Sequence, residues 1–175
     1  MKQLIEEIHK WNALQDPLEW PDEQFTALAR PIFREQFEKN APYRSFCEKR
    51  GVGPEDIGTY RDIPAVPTDV FKHVRLTTAD EPVRTFRTSG TTLGRRGEHH
   101  FGTLEAYRAS LVGPFKRFCV PDTEEIRMLI VAPSGTDLPD SSLSFMLDEL
   151  VDRFGDDKSA YFIEKDESDE LEMRF

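Results

Sequence analysis

The sequence predicts an α/β chain: a helical N-terminal block followed by a partial, mostly parallel sheet with flanking helices. Two observations carry this. Apolar residues recur at helical spacing up to about residue 50. Beyond residue 80, short apolar runs alternate with amphipathic stretches in the order strand, loop, helix, strand, helix, strand. Such alternation favours parallel pairs joined by helical crossovers. The strand runs are few for a complete doubly wound sheet, which points to part of a larger unit.

The elements follow in order. Leu4, Ile5, Ile8, Trp11 and Leu14 share one face of a first helix. Asp22 is an N-cap candidate for a second, whose stripe is Phe25, Leu28, Ala29, Ile32, Phe33 and Phe37. Pro31 inside that stripe predicts a kink or a fresh start. Residues 41–50 read as a third helix, stopped by Gly51 and Gly53. Pro54, Pro64 and Pro67 then mark extended chain, with a helical turn from Thr68 or Asp69 to Phe71. Residues 82–87 read as a strand, 88–97 as a Gly/Thr/Ser loop and 98–101 as a second strand. A helix follows to Phe118, with Leu104, Tyr107, Leu111, Phe115 and Phe118 on its apolar side. Residues 126–132 (IRMLIVA) read as a buried strand, and Pro133–Ser141 as a turn-rich loop in which Ser134-Gly135 either turns the chain or lines a cleft. A helix over 142–154, a strand over 159–163 and an acidic, weakly structured end complete the chain. The expected divisions are 1–53 (helical block), 54–163 (α/β subdomain) and 164–175 (acidic tail).

A chain of 175 residues is long enough for a real core. Its 23 basic and 33 acidic side chains give a net charge of -10. That balance argues against general nucleic-acid or anionic-membrane binding, though not against a local phosphate site. Cys47 and Cys119 form no CxxC pair and sit in amphipathic stretches, where core positions are expected. The first residues have no apolar signal region, and no apolar run approaches the roughly 20 residues of a membrane span. A soluble, cytoplasmic protein is the expectation.

The segment with chemical content is Thr85–Phe101, TFRTSGTTLGRRGEHHF. Gly90, Gly94 and Gly97 let backbone N–H groups turn toward a ligand, and Thr88, Ser89, Thr91 and Thr92 add hydroxyl donors. Arg95 and Arg96 bring positive charge. Such a loop suits a polyphosphate, and it is not a Walker A loop, because GxxxxGK[ST] is absent. His99 and His100 are adjacent, so on a strand they face opposite sides and do not share a metal; no ligand spacing elsewhere supports a metal site. One of the two suits a polar or substrate-pocket role.

Thr88-Ser89-Gly90-Thr91-Thr92 followed by Gly94 resembles the TSGTTG phosphate loop of adenylate-forming enzymes. It departs by one inserted residue, Leu93, and lacks the usual Pro-Lys, for which Arg95 or Arg96 stands in. Asp62-Ile63-Pro64, Pro67, Phe71-Lys72, Gly97–Phe101 and Ser141–Ser144 with Met146-Leu147 resemble the LuxE-type acyl-protein synthetases. The resemblance implies the N-terminal half of an adenylate-forming domain. It implies ATP as nucleotide, Mg2+ with it, a fatty or other carboxylic acid as substrate, and transfer of the acyl group to a protein cysteine. On it, Thr88, Ser89, Gly90, Thr91, Thr92 and Gly94 bind the phosphates, and Arg95, Arg96 and His99 act at the reacting centre. It also implies partners: a downstream domain or second chain completing the site, and an acyl-carrier or acyl-reductase protein.

The later superfamily motifs for adenine, ribose and the C-terminal lysine are not found after the loop. Two other readings therefore stand beside the first. One is a non-catalytic interaction module of the same fold; the other is a phenylacetate–CoA-ligase-like enzyme that shares the loop and differs in acceptor.

Overall fold

The computed structural model describes residues 6–7, 9–10, 21–89 and 95–174. The first amphipathic face expected from Leu4 to Leu14 lies outside them. The chain divides into two compact units, one within 14–104 and one centred on 105–175.

The first unit opens on helix α1 (Asp22–Lys39), which runs without interruption through Pro31. Asp22 is its first residue rather than its cap. Pro31 removes one ladder hydrogen bond, and tertiary packing holds the helix on both sides of it. Phe33 is buried against Cys47 and Ile57, with Phe37, Tyr43, Phe46, Val52 and Ile63 around them. Phe25 and Ile32, on the same expected stripe, are exposed. Arg30 clamps the return of the chain, donating from Nε to the Ile57 carbonyl (3.0 Å) and from its terminal nitrogen to Gly58 (2.6 Å).

Helix α2 (Ala41–Glu48) is capped by Asn40, whose side chain accepts from the Tyr43 N–H. It ends on Gly51, at φ +68°, where an L side chain is strained. There the Gly51 N–H bonds Glu48 and the Val52 N–H bonds Cys47, a Schellman closure.

Short 3-10 turns at Pro54–Asp56, Tyr60–Asp62 and Thr68–Lys72 fill the proline-marked stretch. Strands β1 (Arg84–Arg87) and β2 (Glu98–Phe101) then pair antiparallel, with Thr85 opposite His100 and Phe86 opposite His99. The connection over 88–97 is too short for a crossover, so a hairpin is the pairing the chain can make. Phe86 is buried and meets Phe101 edge-to-face at 5.4 Å.

The second unit holds α3 (Glu105–Phe118), β3 (Leu129–Pro133), α4 (Ser142–Phe154), β4 (Ala160–Lys165) and β5 (Leu171–Met173). The sheet order is β3-β4-β5. β3 and β4 are parallel, joined through α4, as the alternation predicts; β4 and β5 are antiparallel, so with the β1–β2 hairpin only one of the three described strand pairings is parallel, and the mostly parallel sheet expected is not what forms. The acidic end is therefore not an unstructured tail, because it folds back as β5. Glu164 and Arg174 pair at 2.9 Å across this return.

Val120, Leu150 and Phe154 form the core here, packed by Val112, Phe115, Ile126, Met128 and Met146. Two expectations are corrected. Leu129 (64%) and Val131 (66%) are exposed, and only Ile130 of the central run is buried, so the strand buries one face and not both. Cys119 is exposed rather than core, since α3 ends at Phe118 and the thiol falls just past the packed turns.

Candidate functional site

The hairpin neck is the best-defined part of the Gly/Thr/Ser segment. The Thr88 N–H donates to the Gly97 carbonyl (2.9 Å), and the Gly97 N–H donates to Thr88 Oγ1 (2.9 Å). Gly97 is buried, and a Cβ there would sit 3.3 Å from the Thr88 methyl and 3.5 Å from Phe71. The 3-10 turn at Thr68–Lys72 thus closes the neck from below with Phe71. Arg96 fastens it from the side: Nε donates to the Thr88 carbonyl (2.6 Å) and Nη2 to that of Arg87 (3.4 Å). Ser89 continues from Thr88. Gly90, Thr91, Thr92 and Gly94 lie outside the described residues.

Strand alternation sorts the hairpin into two faces. One is apolar, with Phe86, Phe101 and His99. His99 stacks on Phe71 at a centroid distance of 4.4 Å. The other is polar and pairs across the strands: the Thr85 hydroxyl meets His100 Nδ1 at 2.9 Å, and Arg87 Nε donates to Glu98 Oε1 at 3.1 Å.

A cleft of about 500 Å3 opens on this polar side. Residues 71–75 form one wall, and Arg87, Arg95, Arg96, Glu98 and His100 form the other. Lys72, Arg75, Arg87, Arg95 and Arg96 make it strongly cationic, within a chain of net charge -10. Just outside, Lys72 and His73 both pair with Asp69 and hold its carboxyl below the usual range. Clustered cations on a concave wall focus the field on anions, and guanidinium groups suit phosphate oxygens.

Of the residues expected from sequence, Thr88 and Arg96 meet at the neck, and Arg95 lines the cleft beside it. His99 does not join them, because it lies on the apolar face. The cleft also uses Lys72, Arg75 and Arg87, which the sequence did not single out, and His100, one of the two histidines of which one is expected to take a polar or pocket role. Strand parity gave a signal for His100, since adjacent histidines must split between the faces.

Burial against Phe71, then the charge of neighbouring His100, holds the His99 imidazole below its usual 6.5. A base with a depressed folded pKa contributes stability that is complete above the unfolded value. That contribution is lost as pH falls below 6.5 toward the folded value, because the unfolded chain takes the proton first. Wild type is therefore expected to lose more stability than His99→Phe between pH 7.5 and 5.5, read as the difference between their urea midpoints. Parallel losses would show that His99 does not titrate this way.

Among the described residues no group of three or more His, Cys, Asp or Glu side chains could hold a metal ion. The cleft's one carboxylate, Glu98, is engaged by Arg87. The donor set fits an anion and not a protein-caged Mg2+.

A family model described as "Acyl-protein synthetase, LuxE" matches residues 2–154. The chain is similar to the long-chain-fatty-acid–luciferin-component ligase of Vibrio harveyi, at 37% identity over 43% of this chain and 21% of that protein. It is also similar to the ligase of the same name from Aliivibrio fischeri, at 32% identity over 45% of this chain and 22% of that protein. These matches span about a fifth of either relative's length. No solved structure matches.

Proposed function

The chain belongs to the LuxE family of acyl-protein synthetases, and from that premise we propose that it supplies the ATP-phosphate-binding part of an enzyme that activates a carboxylic acid. A long-chain fatty acid is the substrate class that the relatives' names support. The observation that carries the reading is the cationic cleft beside the Thr88–Gly97 neck.

In the proposed reaction a carboxylate oxygen attacks the α-phosphorus of ATP. The bond to the bridging oxygen of the β-phosphate breaks, and pyrophosphate leaves with the electron pair. A protein thiolate then attacks the acyl carbon and AMP departs. Neither step needs a strong protein base. Both gain from fixed cations where charge develops on the leaving group. Lys72, Arg75 and Arg95, which line the cleft, would receive the β- and γ-phosphates, and Arg96 would hold the loop neck shut beneath them. Thr88 and Ser89 begin the run of donors that continues into the loop. Magnesium would arrive with the nucleotide and neutralise part of its phosphate charge.

Adenine and ribose contacts, and the thiol acceptor, would come from a downstream domain or a second chain. The acceptor would be an acyl-carrier or acyl-reductase protein. Among the described residues no helix is long and apolar enough to cross a membrane.

Calorimetric titration of MgATP into the chain tests the reading. Binding is expected in wild type and should weaken about tenfold in Arg95→Ala, the loss of one charge-assisted contact. A smaller loss is expected in Ser89→Ala. A folded chain that binds neither MgATP nor tripolyphosphate would overturn it in favour of a non-catalytic module of the same fold.

A further inference from the structure

Resting on the reading that the cleft takes phosphate groups, we infer that Arg87 and His100 form a phosphoryl subsite that Glu98 fills in the free protein. Glu98 is then an internal competitor that sets which anions enter. The geometry is specific. Glu98 Oε1 accepts from Arg87 Nε at 3.1 Å, and Oε2 lies 3.6 Å from His100 Nε2. The Thr85 hydroxyl and His100 Nδ1 share a hydrogen bond of 2.9 Å, which holds the ring against the strand. At 3.6 Å His100 Nε2 and the carboxylate lie beyond hydrogen-bond range.

The bracket is rigid on one side and yielding on the other. The His100 side chain is 9% exposed, against 40% for Glu98 and 49% for Arg87. The two carboxylate oxygens occupy positions that two oxygens of a phosphoryl group would take between a guanidinium and an imidazole. Every other charge lining the cleft is positive or a histidine. A single carboxylate among them repels any anion that does not displace it, and a more highly charged anion displaces it more readily. Glu98 thereby selects for polyphosphates over single phosphates.

The test titrates inorganic tripolyphosphate and orthophosphate into wild type and variants at fixed, low salt. Glu98→Gln is expected to bind tripolyphosphate about fivefold tighter, since one adjacent like charge is gone. Its gain for orthophosphate should be larger, so that selectivity narrows. Arg87→Ala and His100→Asn should each weaken tripolyphosphate binding about tenfold. Glu55→Gln makes the same change in net charge at an exposed position away from the cleft, and should leave affinity within about twofold.

Unchanged or weaker binding in a folded Glu98→Gln, or an equal gain in Glu55→Gln, would overturn the inference while leaving the phosphate reading intact. Binding in Glu98→Gln alone would support it. No binding in either protein would remove both. Should Glu98→Gln fail to fold, Glu98→Asp withdraws the same charge by one methylene; a gain of about twofold supports the inference, and no gain overturns it.

Discussion

Replacing Phe86 by alanine is expected to remove about 3–5 kcal/mol of stability, the range for emptying a fully buried aromatic site. Phe86 is 2% exposed, packs edge-to-face on Phe101, and stands opposite His99 in the ladder. Its ring is thus the apolar filling of a hairpin whose other face, Thr85, Arg87, Glu98 and His100, is polar. A two-stranded hairpin holds poorly without an apolar face packed on something. Loss of the ring should also loosen Thr88, two residues on, and with it the neck that Arg96 fastens. The check is urea unfolding with a melting curve, where a fall in Tm of roughly ten degrees or more is expected for a unit of this size. Val83→Ala, on the same strand approach but largely exposed, should change stability by less than about 0.5 kcal/mol. Equal effects at the two positions would show that the ring does not anchor the hairpin.

That asymmetry explains what the sequence could and could not disclose. The strands at 84–87 and 98–101 were legible because Gly, Thr and Ser punctuate the chain between them. The β3–α4–β4 crossover was legible because two apolar runs flank a helical stripe. The cleft was not legible as a cleft. Its second wall, residues 71–75, is set by a 3-10 turn whose direction depends on Tyr43 bonding the Pro64 carbonyl (2.8 Å) and on Phe71 packing beneath Gly97. Both are contacts between residues distant in sequence. The Arg87–Glu98 and Thr85–His100 pairs likewise need the ladder register, which local patterning does not fix.

β5 was missed for a related reason. Glu and Asp are weak strand formers, and the segment reads as solvated. It pairs because β4 offers an open edge and the Asp169 turn, at φ 64°, reverses the chain. Cys47 was placed correctly in a core, but Cys119 was not. Helical spacing locates a stripe well and the last turn of a helix poorly, since the ends project beyond the neighbour that covers the middle.

Replacing Gly135 by alanine is expected to cost about 2–3 kcal/mol, by a different route from a lost core group. The backbone there is ordinary, and the difficulty is the neighbour. A Cβ would lie deep inside contact distance of Asp148 Oδ2. Asp148 cannot step aside freely. Its Oδ2 accepts the Gly135 N–H at 2.9 Å, and its Oδ1 accepts the Tyr161 hydroxyl. One carboxylate on α4 thereby ties the turn after β3 to the start of β4, and Ser134 completes that turn by donating to Asp137 (2.6 Å). Displacing Asp148 forfeits two hydrogen bonds to a charged group, each worth about 1.5–3 kcal/mol before relaxation.

A double-mutant cycle isolates the effect. In an Asp148→Ala background the cost of Gly135→Ala should fall to a few tenths of a kcal/mol, because the obstacle is gone and the bonds are already lost. Full additivity would mean that the turn resists the methyl for another reason. The same carboxylate leaves a signature at high pH. Burial, and then the bond to Asp148, holds the Tyr161 hydroxyl above its usual 10.0. The resulting stability is complete below pH 10 and is lost as pH rises beyond it, because the unfolded chain ionises first. Tyr161→Phe should flatten that alkaline decline, and an unchanged decline would show that Tyr161 does not titrate this way.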